Sequence, residues 1–120
     1  MRMEGLRDRT KQFALRIIRL FTKLLKSIES QVLAKQVLRS GTSIAANFRE
    51  ASRARSDAEF ISKMGLVEQE LDETMLWLEL LTESGIVKTE LLAPLHAEAE
   101  ELLKITVSAI RATKDKKLNP

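Results

Sequence analysis

Apolar residues recur at helical spacing through four long segments of this chain, and only short breaks separate the segments. Phe13, Ile17, Leu20, Phe21, Leu24 and Ile28 follow the i, i+3/i+4, i+7 pattern that gathers side chains on one helix face. Leu33, Val37, Ile44 and Ala51 make a second stripe, and Phe60, Met64, Val67, Leu71, Met75, Leu78 and Thr82 a third. Leu95, Ala99, Leu102, Leu103, Thr106, Ala109 and Ile110 make the fourth. The predicted helices span about 8–27, 30–54, 56–84 and 89–113, with a frayed polar tail over 114–120. Short connections between long amphipathic helices make neighbours antiparallel. The expected fold is all-α: an up-down antiparallel four-helix bundle forming a single domain over residues 1–120. A chain of 120 residues can build such a core without disulfides, and it has no cysteine.

Local signals mark several helix ends. Ser56-Asp-Ala-Glu59 is a capping-box pattern in which hydroxyl and carboxylate each satisfy a free amide. Gly85 suits a left-handed helix stop. Thr89 is an N-cap candidate, but Pro94 is tolerated only near a helix start, so regular helix is expected from nearer Leu92 or Ala93. Gly41 sits mid-helix at a cost of about 1 kcal/mol relative to Ala, which points to close approach of another helix.

Polar residues fall on the core side of the second helix. Ser40 and Asn47 share the face of Val37 and Ile44, with Ser43 and Glu50 beside them. Buried polar groups need partners. The expectation is a hydrogen-bonded structural network of Ser40, Ser43, Asn47 and Glu50 that fixes register or subunit geometry; the alternative is a ligand cradle.

Catalytic chemistry is scarce. His96 is the only histidine and reads as a surface residue; there is no Cys or Tyr. Ala93 stands three before His96, so the Glu-x-x-His motif of di-iron bundles fails. Glu68, Glu70, Asp72 and Glu73 read as a surface acidic cluster, and Glu98, Glu100 and Glu101 as a solvated face. Arg39-Ser-Gly-Thr-Ser lacks P-loop spacing. No catalytic residue, metal site or cofactor is expected. No apolar run approaches the roughly 18 residues of a membrane span, and the start lacks signal-peptide character. The reading is a cytoplasmic, non-enzymatic protein with no membrane partner.

Charge carries the positive signal. Residues 1–55 hold 13 Lys/Arg against 4 Asp/Glu, and residues 56–120 hold 7 against 13. Arg16, Arg19, Lys23 and Lys26 line one helix, and Lys35, Arg39, Arg49 and Arg53 the next. These eight are the candidate nucleic-acid-binding residues, able to meet phosphates without reading sequence. The Phe residues belong to apolar stripes, so no aromatic platform for bases is expected. A rival reading pairs the basic half with the acidic half, either within one bundle or between subunits of a protein-interaction scaffold. Leu66, Trp77 and Leu80 lie off the third core stripe, and Ile18 and Leu25 widen the first. Surplus apolar surface of this kind marks association, so Leu66, Trp77 and Leu80 are the candidate oligomer interface.

The segment Arg39-Ser-Gly-Thr-Ser-Ile-Ala-Ala-Asn-Phe-Arg-Glu-Ala51 resembles the small bacterial four-helix-bundle proteins of the 23S rRNA intervening-sequence family. The likeness continues through Glu59-Phe-Ile-Ser-Lys-Met64, Glu68-x-Glu70-Leu-x-Glu-Thr74, Trp77-Leu-x-Leu-Leu81, Ser84-Gly-Ile86 and Glu98-x-Glu100-Glu-Leu-Leu103, so it spans roughly residues 8–112. Many members carry a Pro shortly after the motif Ile and a Gly after the motif Glu; this chain has Ala45 and Ala51, which keep the helix straighter. The family is similar to the accessory protein of diversity-generating retroelements. That resemblance implies a homopentamer with a basic surface, RNA or DNA as partner, and a reverse transcriptase or ribosomal component as a further one. It brings no catalytic residue. It carries over the basic character at Arg16, Arg19, Lys23, Lys35, Arg39, Arg49 and Arg53.

Overall fold

Four helices follow one another with short connections: α1 (Met3–Lys23), α2 (Ile28–Ser52), α3 (Asp57–Glu83) and α4 (Thr89–Leu118). The computed structural model describes the backbone of residues 3–24 and 27–118, and the side chains of residues 5–24 and 27–116. The helices pack in sequence, α1 on α2, α2 on α3 and α3 on α4. The closing seam between α4 and α1 is much thinner. The result is an all-α four-helix bundle about 54 Å long and 20 Å across.

The apolar stripes meet on the bundle axis. Phe13, Ile17, Val37, Ile44, Phe48, Met64, Leu71, Leu78 and Leu102 are almost fully buried there. Gly41 lies where α1 crosses α2, with the Ile17 side chain directly over its Cα hydrogen position. The close approach expected from a mid-helix glycine is therefore real, and α1 is the helix that makes it.

Helix ends follow local hydrogen bonding. Ser27 is not the last residue of α1: its Oγ accepts the Ser30 amide at 3.1 Å and caps α2. At α3, Ser56 Oγ accepts the Glu59 amide at 3.1 Å, while the Glu59 carboxylate accepts the amide of Arg55, at 3.2 Å, in place of Ser56's own. Gly85 has φ +81° just after α3, the left-handed stop its sequence position suits.

Further boundaries differ from expectation. Helix α1 starts at Met3, five residues ahead of Asp8. Helix α4 starts at Thr89, so Pro94 stands inside it; only the Glu90 carbonyl, on an exposed residue, loses its intrahelical donor. Residues 114–118, read from sequence as frayed tail, continue α4. Among the described residues no helix is long and apolar enough to cross a membrane.

Candidate nucleic-acid interface

The two walls of the α1–α2 groove carry basic residues at the end of the bundle where α1 begins and α2 finishes. Arg7 and Lys11 come from α1, and Arg49 and Arg53 from α2; Thr10, Ala45, Ala46 and Phe48 line the space between, and the open groove measures about 510 Å³. None of these four basic side chains is in an ion pair among the described residues. Among the described residues Glu50 is the one acid on the rim, and it lies 3.7 Å from Lys63 of α3.

Helical spacing explains the pairing of walls. Arg7 and Lys11 are one turn apart on α1, on the flank that faces α2; Arg49 and Arg53 are one turn apart on α2. The sequence reading chose Arg49 and Arg53 but missed Arg7 and Lys11. The signal was present: Arg7, Lys11, Ala14 and Ile18 form an i, i+4, i+7, i+11 row beside the core stripe.

The other candidate cations lie elsewhere. Arg39 is engaged within the chain, its guanidinium 2.7 Å from Glu73 and 3.3 Å from Glu70 of α3. Arg9 makes a bidentate pair with Glu98 of α4, at 2.7 and 3.0 Å, across the thin α1–α4 seam. Those hydrogen bonds, with the nearby charge of Glu98 and Glu101, raise the Arg9 guanidinium further above its ordinary range despite partial burial. Arg16 and Lys23 follow Arg9 at seven-residue steps, hence on the α4 side of α1, away from the groove. Arg19 and Lys35 are exposed on outer faces. Lys26 and Leu25 lie outside the described residues. The seven described candidate cations thus form no single surface, and part of the basic half is neutralised by the acidic half inside one bundle.

The expected polar network also divides. Ser40 is fully buried, and its partner is Thr74 of α3: Thr74 Oγ1 lies 2.7 Å from Ser40 Oγ and 2.7 Å from the Glu70 carbonyl oxygen. Asn47 Nδ2 donates instead to the Ser43 carbonyl inside α2, at 3.0 Å. Glu50 is exposed beside Lys63. Steps of three residues fall short of a full turn, so Ser43 and Glu50 rotate toward solvent relative to Ser40 and Asn47. Thr74 was overlooked, although Leu71, Thr74 and Leu78 are spaced to share the core side of α3.

On the outward face of α3, Leu66, Leu76 and Leu80 are exposed. Trp77 is half-buried against the core, and its Nε1 is buried without a hydrogen-bond partner among the described residues. His96 bridges helices rather than standing free: Nε2 is 2.8 Å from Glu79 of α3, and Nδ1 3.7 Å from Glu100. Among the described residues no cluster of His and carboxylates is able to hold a metal ion.

The family model described as 23S rRNA-intervening sequence protein matches residues 6–108, which cover the α1–α2 groove, all of α2 and α3, and most of α1 and α4. The chain belongs to this family. A solved structure, that of a protein of unknown function from the S23 ribosomal protein family of Bacteroides thetaiotaomicron, is 38% identical, with a TM-score of 0.86 over 92% of this chain and 99% of that one. No curated protein matches significantly. The family's function is unknown, so membership fixes the fold and leaves the role to the surface chemistry.

Proposed function

We propose that this family member is a non-catalytic, oligomeric helical bundle that holds nucleic acid by its phosphate backbone, without reading sequence. The observation that carries this reading is the groove walled by Arg7, Lys11, Arg49 and Arg53, four cations with no internal ion pair among the described residues. Internal acids have neutralised Arg9 and Arg39, while these four keep their charge directed to solvent, as a phosphate-contacting surface requires. The exposed leucines of α3 support self-association on a different face. Five subunits is the number the retroelement accessory protein resemblance implies.

The test is binding of fluorescent RNA and DNA to the purified protein over a salt series. Affinity is expected to fall steeply with salt and to ignore sequence. Absence of binding at low salt would overturn the reading. A second reading, a protein-interaction scaffold, draws on the same exposed leucines. In it, subunits pair through complementary basic and acidic faces. Arg39 takes up Glu70 and Glu73 within one chain, which leaves the exposed Glu68 and Asp72 of α3 for such pairing.

A further inference from the structure

Three open grooves meet at the end of the bundle where α2 hands over to α3. The α1–α2 groove shares Arg53 with a second groove of about 350 Å³, which Arg55 and Lys63 also line. That groove in turn shares Arg55 with a third, of about 590 Å³, set between the start of α3 and the end of α4. The shared arginines make the three grooves neighbours around the bundle end.

Charge along this path is not cancelled. Its cations outnumber its acids: Glu50 lies 3.7 Å from Lys63 and Asp57 3.8 Å from Lys116, while Glu59 accepts the Arg55 amide at 3.2 Å and keeps its charge. Arg53 and Arg55 have no ion pair among the described residues. The path therefore presents arginines while its carboxylates face other donors.

The third groove adds an aromatic ring. Phe60 lines it, half-buried, and the capped first turn of α3 holds its backbone in place, with the Phe60 amide 3.0 Å from the Ser56 carbonyl. From α4 the groove receives Ala109, Ala112 and Thr113, short side chains that leave it open. A flat apolar ring beside an arginine track is the combination that binds unpaired bases: cations follow the phosphates, and the ring offers a face for stacking. Phe60 belongs to the third apolar stripe and also lines this open groove. Double-stranded nucleic acid, stiff over roughly 150 base pairs in the DNA case, cannot turn around a bundle only 20 Å across. A single strand can.

We propose that the path binds a single strand of nucleic acid, its phosphates along Arg7, Lys11, Arg49, Arg53 and Arg55 and an unpaired base stacked on Phe60. This rests on the phosphate-binding reading and deepens it.

The experiment compares fluorescein-labelled oligouridylate, oligothymidylate, an abasic strand and a duplex of equal length at one salt concentration. The proteins are the full chain and its Phe60→Leu and Phe60→Trp variants, each checked for helicity by circular dichroism. Phe60→Leu should lower the ratio of single-strand to duplex affinity about tenfold for both oligomers. Phe60→Trp should preserve the ratio, and the abasic strand should not sense Phe60→Leu. A ratio unchanged by Phe60→Leu, or a loss shared equally by the abasic strand, overturns the stacking site. If that happens while salt-sensitive duplex binding persists, the phosphate-binding reading stands without it. If nothing binds, both fall.

Discussion

A Cβ added to Gly41 would lie 2.8 Å from Cγ1 of Ile17 and 3.0 Å from its Cγ2. Ile17 is fully buried and β-branched, so it has no free rotamer to retreat into. Gly41→Ala should therefore destabilise the fold, although alanine favours the helix by about 1 kcal/mol. Overpacking of this kind costs about 1–3 kcal/mol, so a net loss of about 1 kcal/mol is expected from urea unfolding. Gly65 is the control: a Cβ there meets nothing within 4 Å, and Gly65→Ala should stabilise by up to about 1 kcal/mol. Equal effects at the two sites would contradict the close crossing.

The Ser40–Thr74 contact predicts an asymmetric mutant cycle. Ser40→Ala leaves Thr74 its bond to the Glu70 carbonyl at 2.7 Å, so the cost should be about 0.5–1.5 kcal/mol. Thr74→Val leaves the buried Ser40 hydroxyl only a long 3.4 Å contact with the Val37 carbonyl, and should cost about 1–3 kcal/mol. The double variant should be no less stable than Thr74→Val alone, because no orphaned hydroxyl remains. Strictly additive losses in denaturant titrations would mean the two hydroxyls are not coupled.

How far the sequence could be read depended on what each residue's position was set by. The four stripes were legible because burial forces Phe13, Ile17, Val37, Met64 and Leu71 inward whatever the neighbours are. The family was legible from the Arg39–Ala51 motif. Ser27 was harder, since Ser27 and Ser30 both suit an N-cap and only geometry shows which hydroxyl accepts the amide. The charged residues were hardest. Periodicity puts Arg39 on an outer face of α2, but not that Glu70 and Glu73 of α3 stand within its reach. Likewise Arg7 and Arg49 are 42 residues apart in sequence, and only the α1–α2 packing makes them opposite walls of one groove.

That division of the cations predicts distinct salt behaviour. If Arg7, Lys11, Arg49 and Arg53 each meet a phosphate, replacing any one with Ala should flatten the plot of log affinity against log salt by about one unit. Arg39→Ala should leave that slope as it is. Its guanidinium is half exposed and already paired, so its loss should cost stability no more than about 1 kcal/mol. A slope equally sensitive to Arg39 would move the phosphate surface away from the groove and onto the α2–α3 face.

Self-association should depend on the outer face of α3. Leu66 and Leu80 are each 40% exposed and fourteen residues apart, hence stacked on one side of the helix four turns from end to end. Because both project outward, Leu66→Glu and Leu80→Glu should leave the monomer folded, with helicity by circular dichroism unchanged. Charge repulsion and lost apolar contact should nonetheless shift the molar mass from light scattering toward that of one 13.6 kDa chain. If the double variant keeps the mass of the parent protein, association runs through another surface. The bundle end around Ile28 and Val32, where exposed apolar side chains also gather on α2, is then the next place to substitute.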